Sequence, residues 1–277
     1  MWDGTAVSDG PQDRIRAAVL QLRAGTDKTD NLARLGALTR RAADAGAQVV
    51  VAPEAAMHDF GPPDLPLAPV AEPLDGAFVT GLAGLAADKG VTVLAGMFET
   101  VDGDPERAYN TVVAVGPGGV LGAYRKAHLF DALGWVESER LAAGPPEPLV
   151  LDLGPIRLGV MTCYDLRFPE LARALCDAGA TAIAVPAAWV AGPLKEDQWL
   201  TLVRARAIES TAYVVAAGQP APGYCGRSVV VDPLGVVAAG VPDGEGLAIA
   251  DLDPGHVSDV RRRIPSLQHR RWSVVPR

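Results

Sequence analysis

Cysteine is scarce in this sequence: among 277 residues there are only Cys163, Cys176 and Cys225. Such an odd, sparse set does not build a disulfide framework, so we expect a reducing compartment, the cytoplasm. The sequence also lacks any apolar run near the ~20 residues that a membrane-spanning helix needs. Its first residues are polar and lack the apolar segment of a signal peptide. We therefore predict a cytoplasmic protein without membrane contact, and interpret residues 1–13 as a disordered leader.

Positively charged residues are fewer than negatively charged ones, so the formal net charge is -8. The two short arginine runs, 261–263 and 270–271, are typical of solvated helix faces or a tail, so a nucleic-acid partner is not expected. The four histidines show no metal-ligand spacing, and no Cys-x-x-Cys or His-Glu-x-x-His occurs. We therefore expect neither a metal nor an organic cofactor. Ser228 lacks the Gly-x-Ser-x-Gly context of a serine hydrolase.

Apolar segments make up much of what is present, since 49% of the residues are hydrophobic. Residue spacing predicts two rounds of the same order, strand–helix–strand–helix–strand–strand–strand. The first round comprises strands 15–22, 48–53, 91–98, 109–116 and 120–125 with helices 29–46 and 76–89. The second comprises strands 156–162, 181–186, 212–217, 228–232 and 235–239 with helices 168–179 and 196–211, and it adds a further strand at 247–252.

The two rounds predict an α/β fold of four layers. Each round ends in adjacent strands, which does not suit one open sheet with helices on both faces. Two mixed sheets packed face to face, each covered outside by helices, would bury the Val-, Ile- and Ala-rich runs on both faces. We predict such an α-β-β-α sandwich. No low-complexity stretch divides the chain, so residues 14–277 are expected to form a single domain.

Three reactive side chains follow predicted strands. Glu54 comes after the strand 48–53, Lys126 after 120–125, and Cys163 after 156–162. Ligands of α/β sheets gather beyond the carboxyl ends of strands. Each residue alone also has a purely structural interpretation. Glu54 could cap the segment that follows it, Lys126 could be a solvated hairpin end, and Cys163 could be a packed core thiol. Together the three residues form a chemically useful set. The carboxylate can take the thiol proton, and the ammonium can favour the thiolate and stabilise an oxyanion.

The segments around these residues resemble the three signature motifs of the nitrilase superfamily of carbon–nitrogen hydrolases. They are APEAAM at 52–57, YRKAHLFD at 124–131 and TCYDLRFPEL at 162–171, in the family's order of Glu, Lys and Cys. The resemblance covers residues 14 to 271 and is greatest to the Nit-type branch of omega-amidases and deaminated glutathione amidases. It continues in YNT at 109–111, WVESERLAAG at 135–144, VPAAW at 185–189, RARAIES at 204–210, DPLG at 232–235 and QHRR at 268–271.

The resemblance implies a mechanism and a set of roles. Glu54 corresponds to the general base, Lys126 to the oxyanion-stabilising lysine and Cys163 to the nucleophile. Glu137, rather than Glu139, matches a second glutamate that orients the lysine or the substrate. The backbone N–H that follows the nucleophile, that of Tyr164, is the expected second oxyanion donor. The implied reaction is hydrolysis of a small non-peptide carboxamide through a cysteine thioester, in a homodimer or a higher homo-oligomer.

Alternatives remain open at this stage. The same residues suit an N-carbamoyl amidase or a nitrilase, because pocket shape decides between these substrates. A non-catalytic binding protein of the same fold is less favoured, since all four expected catalytic residues are present. The segment 131–137 is shorter than in typical members of the Nit-type branch, and Gln198 stands where histidine is common.

Overall fold

The computed structural model describes residues 14–275, in which two large β-sheets pack face to face. The first sheet has seven strands, and the second has six. The first contains β1 Ile15–Gln21, β2 Val49–Val51, β3 Thr92–Val101, β4 Asp104–Gly116, β5 Gly119–Arg125, β8 Leu141–Ala142 and β15 Gly246–Leu252. The second contains β9 Leu149–Asp152, β10 Arg157–Val160, β11 Ala182–Ala187, β12 Tyr213–Gly218, β13 Val229–Val231 and β14 Val237–Gly240. A small hairpin pairs β6 Asp131–Ala132 with β7 Trp135–Val136.

Helices cover the outer faces of the sheets. They are α1 Lys28–Asp44 and α2 Ala77–Lys89 on the first sheet, and α3 Pro169–Asp177 and α4 Lys195–Ser210 on the second. The fifth helix, α5 Pro254–Arg263, instead packs Val257 against residues that lie between the sheets. Within residues 14–275, no helix has the length and apolar character needed to cross a membrane.

Three buried apolar clusters separate the four layers. Ala17 and Val19 of β1 point into the cluster between the sheets, and Ala18 and Leu20 point into the cluster beneath α1 and α2. A third cluster lies between the second sheet and helices α3 and α4. Strands buried on both faces need continuous apolar sequence, and β1 has it. The predicted α-β-β-α sandwich with two mixed sheets is thereby confirmed.

The strand order places one late strand in an unexpected sheet. In the first sheet the order is β15-β1-β2-β3-β4-β5, and in the second it is β14-β13-β12-β11-β10-β9. β15 belongs to the second round of the sequence pattern, yet it pairs antiparallel with β1, with Ile15 opposite Leu252. The two rounds therefore do not correspond one to one with the two sheets.

Two further features differ from the sequence-based expectations. The arginine run 261–263 ends helix α5, and Arg261 is not simply solvated, because its guanidinium donates to the carbonyls of Thr211 and Ala180. The short edge strand β9 was not predicted. The leader predicted for residues 1–13 lies outside the described residues, and the single domain predicted for 14–277 stays a prediction.

Candidate active site

The three strand ends singled out in the sequence converge at one edge of the sandwich. β2 and β3 are parallel, and two antiparallel pairings then return β5 to the same direction. Glu54 after β2 and Lys126 after β5 therefore emerge on the same side. Cys163 reaches them from β10 of the opposite sheet. All three side chains are buried.

Cys163 sits in a strained turn. It begins a 3₁₀ helix, Cys163–Arg167, and its φ angle is 45°, in the left-handed region that residues with a side chain rarely adopt. Such a conformation costs about 1–3 kcal/mol and persists only where surrounding contacts enforce it. The first N–H groups of a helix have no intrahelical acceptor, and that of Tyr164 is one of them. This position is compatible with the oxyanion role predicted for it.

Asp165 provides the contacts that hold this turn. Its carboxylate accepts hydrogen bonds from the Thr162 N–H at 3.0 Å and from the Tyr124 hydroxyl at 2.8 Å, and lies 2.7 Å from His128 Nδ1. Arg167, two positions further along the 3₁₀ helix, does not pair with Asp165 but donates to Gln198 Oε1 at 2.7 Å. Side chains two positions apart in a 3₁₀ helix point in different directions. His128 thus helps to hold the turn, and its backbone N–H also donates to Asp165 Oδ1 at 3.2 Å.

Lys126 lies between two buried carboxylates. Its Nζ is 3.1 Å from Glu54 Oε1 and 2.9 Å from Glu137 Oε2. Glu137 also accepts a hydrogen bond of 2.8 Å from the Phe130 N–H. The side chain of Lys126 is fully shielded from solvent, so its charge depends on these carboxylates for stabilisation. Glu139, the less favoured candidate, is exposed.

Two further groups, for which the sequence predicted no role, fix the Glu54 carboxylate. Asn110 Nδ2 donates to Oε1 at 2.7 Å, and the Ala188 N–H donates to Oε2 at 2.6 Å. Asn110 is next to Lys126 because the Lys126 N–H donates to the Asn110 carbonyl at 2.8 Å. Asn110 lies in the YNT segment and Ala188 in the VPAAW segment, both of which were named above. These two segments are the sequence signal by which the two residues could have been found.

Burial and charge set the protonation of the central groups. Burial alone would lower the pKa of Lys126, but the carboxylates of Glu137 and Glu54 outweigh it and raise that pKa well above its usual value. Burial, together with the carboxylate of Glu54, raises the pKa of the Cys163 thiol well above its usual value, against the opposing effect of Lys126. The resting site therefore holds a thiol rather than a thiolate, so Lys126 does not by itself ionise Cys163.

A cavity opens onto Cys163. Its walls are largely aromatic and apolar, with three cationic side chains and the carboxylate of Glu137. Across residues 14–275, no three His, Cys, Asp or Glu side chains are grouped to hold a metal ion. The cavity is lined by Phe60, Phe130, Trp135, Glu137, Arg140, Cys163, Tyr164, Arg167, Ala188, Trp189, Val190, Lys195 and Tyr224.

Comparison with known proteins identifies the family. The carbon-nitrogen hydrolase family model matches residues 16–262. The chain belongs to this family. This carbon–nitrogen hydrolase is 43% identical over 272 residues to a Mycobacterium tuberculosis protein named only as a hydrolase, covering 92% of this chain and 95% of that protein. It is 38% identical over 268 residues to a deaminated glutathione amidase of Synechocystis, covering 92% and 97% of the two chains.

A solved structure agrees with these sequence relationships. A variant of the amidase from Nesterenkonia sp. AN1, with the acetamide moiety of fluoroacetamide added covalently at the active site cysteine, matches with a TM-score of 0.81. The two chains are 27% identical over 96% of this chain and 97% of the other. The predicted membership of the nitrilase superfamily, close to its deaminated glutathione amidase branch, is confirmed.

Proposed function

We propose that this carbon–nitrogen hydrolase converts a small non-peptide carboxamide into a carboxylic acid and ammonia through a thioester on Cys163. The observation that carries the proposal is the buried cluster of Glu54, Lys126 and Glu137 around a strained cysteine that faces a cavity. The covalent adduct on the active site cysteine of the Nesterenkonia amidase supports a nucleophilic role for Cys163.

Glu54 is the proposed general base. Because the pKa of the Cys163 thiol is raised, the thiol keeps its proton until a base removes it during attack on the amide carbon. The carboxylate of Glu54 is itself one cause of the raised pKa, because its negative charge lies near the thiol. It takes the proton as the sulfur–carbon bond forms. Because proton transfer is coupled to this attack, no free thiolate has to form in the buried site.

Lys126 and the Tyr164 N–H are the proposed oxyanion donors. The amide oxygen becomes negative when the sulfur attacks, and donors already in place stabilise it without reorganising. Collapse of this intermediate breaks the carbon–nitrogen bond, and the nitrogen leaves as ammonia with the proton held by Glu54. Water then attacks the thioester, Glu54 accepts its proton, and that proton returns to the sulfur as the acid is released.

Glu137 is proposed to keep Lys126 charged and in place. Its two carboxylate oxygens lie 3.1 and 2.9 Å from the Lys126 Nζ. Without this carboxylate, a buried ammonium would be only partly compensated, which favours loss of its proton. Its role is therefore to position and charge the oxyanion donor.

Ammonia release from a panel of amides tests the proposal. The panel contains monoamides of dicarboxylic acids, deaminated glutathione, carbamoyl amino acids and nitriles. We expect wild-type protein to release ammonia from amides, Cys163→Ala to release none, and Cys176→Ala, which removes a helical thiol, to retain activity. Mass spectrometry should find an acyl adduct on Cys163 alone.

Each contrary outcome has a distinct meaning. A Cys163→Ala protein as active as wild type would refute the nucleophile, and inactivity of wild type on every compound would refute the amidase. Preference for carbamoyl amino acids or nitriles would assign the same residues to a different carbon–nitrogen bond.

A further inference from the structure

A buried glutamine of the second sheet contacts the backbone of the proposed base. Gln219 directly follows β12 and is fully buried. Strands β10, β11 and β12 are parallel, so the end of β12 lies on the same side of the sandwich as Cys163. The Nε2 of Gln219 donates to the Glu54 carbonyl at 2.9 Å, and its Oε1 accepts from the Ala24 N–H at 2.9 Å. Because Ala24 and Glu54 follow strands of the first sheet, this amide bridges the two sheets beside the active site.

The hydrogen bond to Glu54 acts on a strained peptide. Ala55, the next residue, has a φ of 54°, in the left-handed region that favours glycine. The Glu54 carbonyl belongs to the planar peptide unit that leads into Ala55, so the direction of this carbonyl and the strained angle are linked. A conformation of this kind persists only where surrounding contacts enforce it. The Gln219 amide supplies such a contact from the opposite sheet.

The backbone of Gln219 is connected to the other end of the same residue. Its N–H donates to the Ala187 carbonyl at 3.1 Å. The peptide unit that contains this carbonyl also contains the Ala188 N–H, which donates to Glu54 Oε2 at 2.6 Å. Gln219 therefore holds the carbonyl of Glu54 directly and its carboxylate through a single rigid peptide unit.

We propose that Gln219 is a positioning residue that sets the direction in which the Glu54 carboxylate meets the thiol of Cys163. Gln219 is not part of the cavity wall, so its effect passes through Glu54 rather than through the substrate. Without the amide, the Glu54–Ala55 peptide can turn away from its strained orientation and carry the carboxylate with it. A displacement of about 1 Å at a reacting group can lower a rate about a hundredfold.

This inference rests on the proposed role of Glu54 as the general base and extends the set of residues that orient it. The test therefore uses a reaction of Cys163 that needs the base but does not need amide hydrolysis.

A second buried glutamine offers a matched control. Gln21, the last residue of β1, is also fully buried. Its Nε2 donates to the Gly244 carbonyl at 2.7 Å, and its Oε1 accepts from the Ser228 N–H at 2.9 Å. Replacing either glutamine by methionine removes a similar pair of buried hydrogen bonds, but only the change at Gln219 releases the Glu54 carbonyl.

Alkylation of Cys163 by iodoacetamide at pH 7 tests the inference. The sulfur–carbon bond forms, the carbon–iodine bond breaks, iodide leaves, and Glu54 takes the thiol proton. Mass spectrometry of the peptide that contains Cys163 measures the rate over a range of reagent concentrations. We expect Gln219→Met to lower the rate at saturating reagent about 10- to 100-fold and to change the half-saturating concentration less than threefold. Glu54→Gln, which lacks the base, should be slower still.

Two comparisons distinguish positioning from general stability. Gln21→Met should shift the urea midpoint about as much as Gln219→Met, yet keep the alkylation rate within threefold of wild type. Gln219→Glu at pH 6 should recover part of the rate, because a buried carboxyl tends to stay neutral and can then donate to the Glu54 carbonyl. Equal loss of rate in Gln21→Met and Gln219→Met would overturn the inference, since it would show a structural effect alone.

The remaining outcomes separate this inference from the proposed amidase. Unchanged alkylation in Gln219→Met rejects the positioning role even if the wild type releases ammonia from amides. Conversely, slow alkylation in Gln219→Met beside a wild type that hydrolyses no amide supports the positioning role and rejects only the amidase. A Glu54→Gln protein that reacts as fast as wild type would refute the base, and the inference with it.

Discussion

The carboxylate of Glu54 is buried and receives hydrogen bonds from three donors: Asn110, Lys126 and the Ala188 N–H. Removing one partner from a buried charged network leaves the remaining charges uncompensated. The oxygen that accepts from both side chains is held in one orientation, which fixes where the base can meet the thiol of Cys163. Catalytic geometry at this scale therefore depends also on Asn110, which takes no part in the proposed reaction steps.

Substitution of Asn110 by leucine tests this dependence. A hydrogen bond to a charged group contributes about 1.5–3 kcal/mol, so we expect kcat to fall about 10- to 100-fold, with KM nearly unchanged. The control is Thr111→Val, at the next position of β4, because the Thr111 hydroxyl donates to Glu99 rather than to Glu54. Steady-state ammonia release measures both. Wild-type kcat in Asn110→Leu would remove Asn110 from the positioning of the base.

At the scale of secondary structure, β3 approaches the Glu54 turn so closely that one position must be glycine. A Cβ at Gly96 would lie 2.4 Å from the Ala55 nitrogen and 2.6 Å from the Glu54 Cα. Real Cβ atoms do not approach backbone at such distances, so the turn or the strand would have to move. Crowding of this kind typically costs about 1–3 kcal/mol.

We therefore expect Gly96→Ala to lower the free energy of unfolding by about that amount and to displace the base, lowering kcat more than a hundredfold. The matched control is Gly84→Ala in α2, where a Cβ meets nothing within 4 Å. Removing glycine from a helix interior should stabilise the protein by about 0.5–1 kcal/mol. Urea denaturation and ammonia assays read the two effects, and unchanged activity in Gly96→Ala would show that the turn adapts.

Arg140 forms hydrogen bonds that hold the loop 58–66 in place beside the cavity. Its Nη1 contacts the carbonyl oxygens of Phe60, Pro62 and Leu65 at 3.0–3.1 Å. We expect Arg140→Met to speed amide hydrogen exchange in residues 58–66 at least tenfold and to raise KM, because the loop loses its charged donor. Arg107→Met, which removes an exposed pair with a nearby aspartate, should change neither. Unchanged exchange in the loop would mean that its other contacts suffice.

Sequence periodicity predicted the positions of the strands and helices well, but it did not predict which strands pair with one another. Buried strands and amphipathic helices leave a local pattern, which is why all eleven predicted strands and four predicted helices are present. The pairing of β15 with β1 could not be read locally, since an alternating strand does not encode its neighbour. Helix α5 was missed because Arg261 appeared as part of a charged run, and its buried acceptors lie 50 and 81 positions away.

The site was predictable to the extent that its residues lie in recognisable motifs. Glu54, Lys126, Cys163 and Glu137 were named and do lie together. Gln219 was not named, because a neutral amide after a buried strand has no recognisable chemistry of its own. Its contact with Glu54 joins residues that are 165 positions apart and follow strands of different sheets, and the spacing within either segment does not reveal that contact.

At the scale of the whole molecule, burial shifts the pKa of all three cysteine thiols in the same direction. Burial raises the pKa of Cys163, Cys176 and Cys225, the last to about 11. Unfolded thiols lose their protons above about pH 8.5, whereas the folded ones retain them. Unfolding then releases protons, so the free energy of unfolding should fall as pH rises from about 8.5 through the folded pKa values.

Urea denaturation at pH 7.5 and pH 10 tests this, with Cys176→Ala as the comparison. Each thiol contributes up to about 1.4 kcal/mol per pH unit, so the variant should show a slope shallower by up to that amount. Identical slopes in the variant and wild type would mean that the Cys176 thiol titrates alike in both states.

The antiparallel pairing of β1 with β15 has a consequence for how the protein is made. A ribosome delivers residues 15–21 long before residues 246–252, since Arg16 precedes its partner Asp251 by 235 positions. Until then the growing chain exposes an edge of β1 with unsatisfied backbone groups, a surface on which neighbouring nascent chains can pair. Completion of the first sheet therefore waits for β15, which is synthesised after every strand of the second sheet.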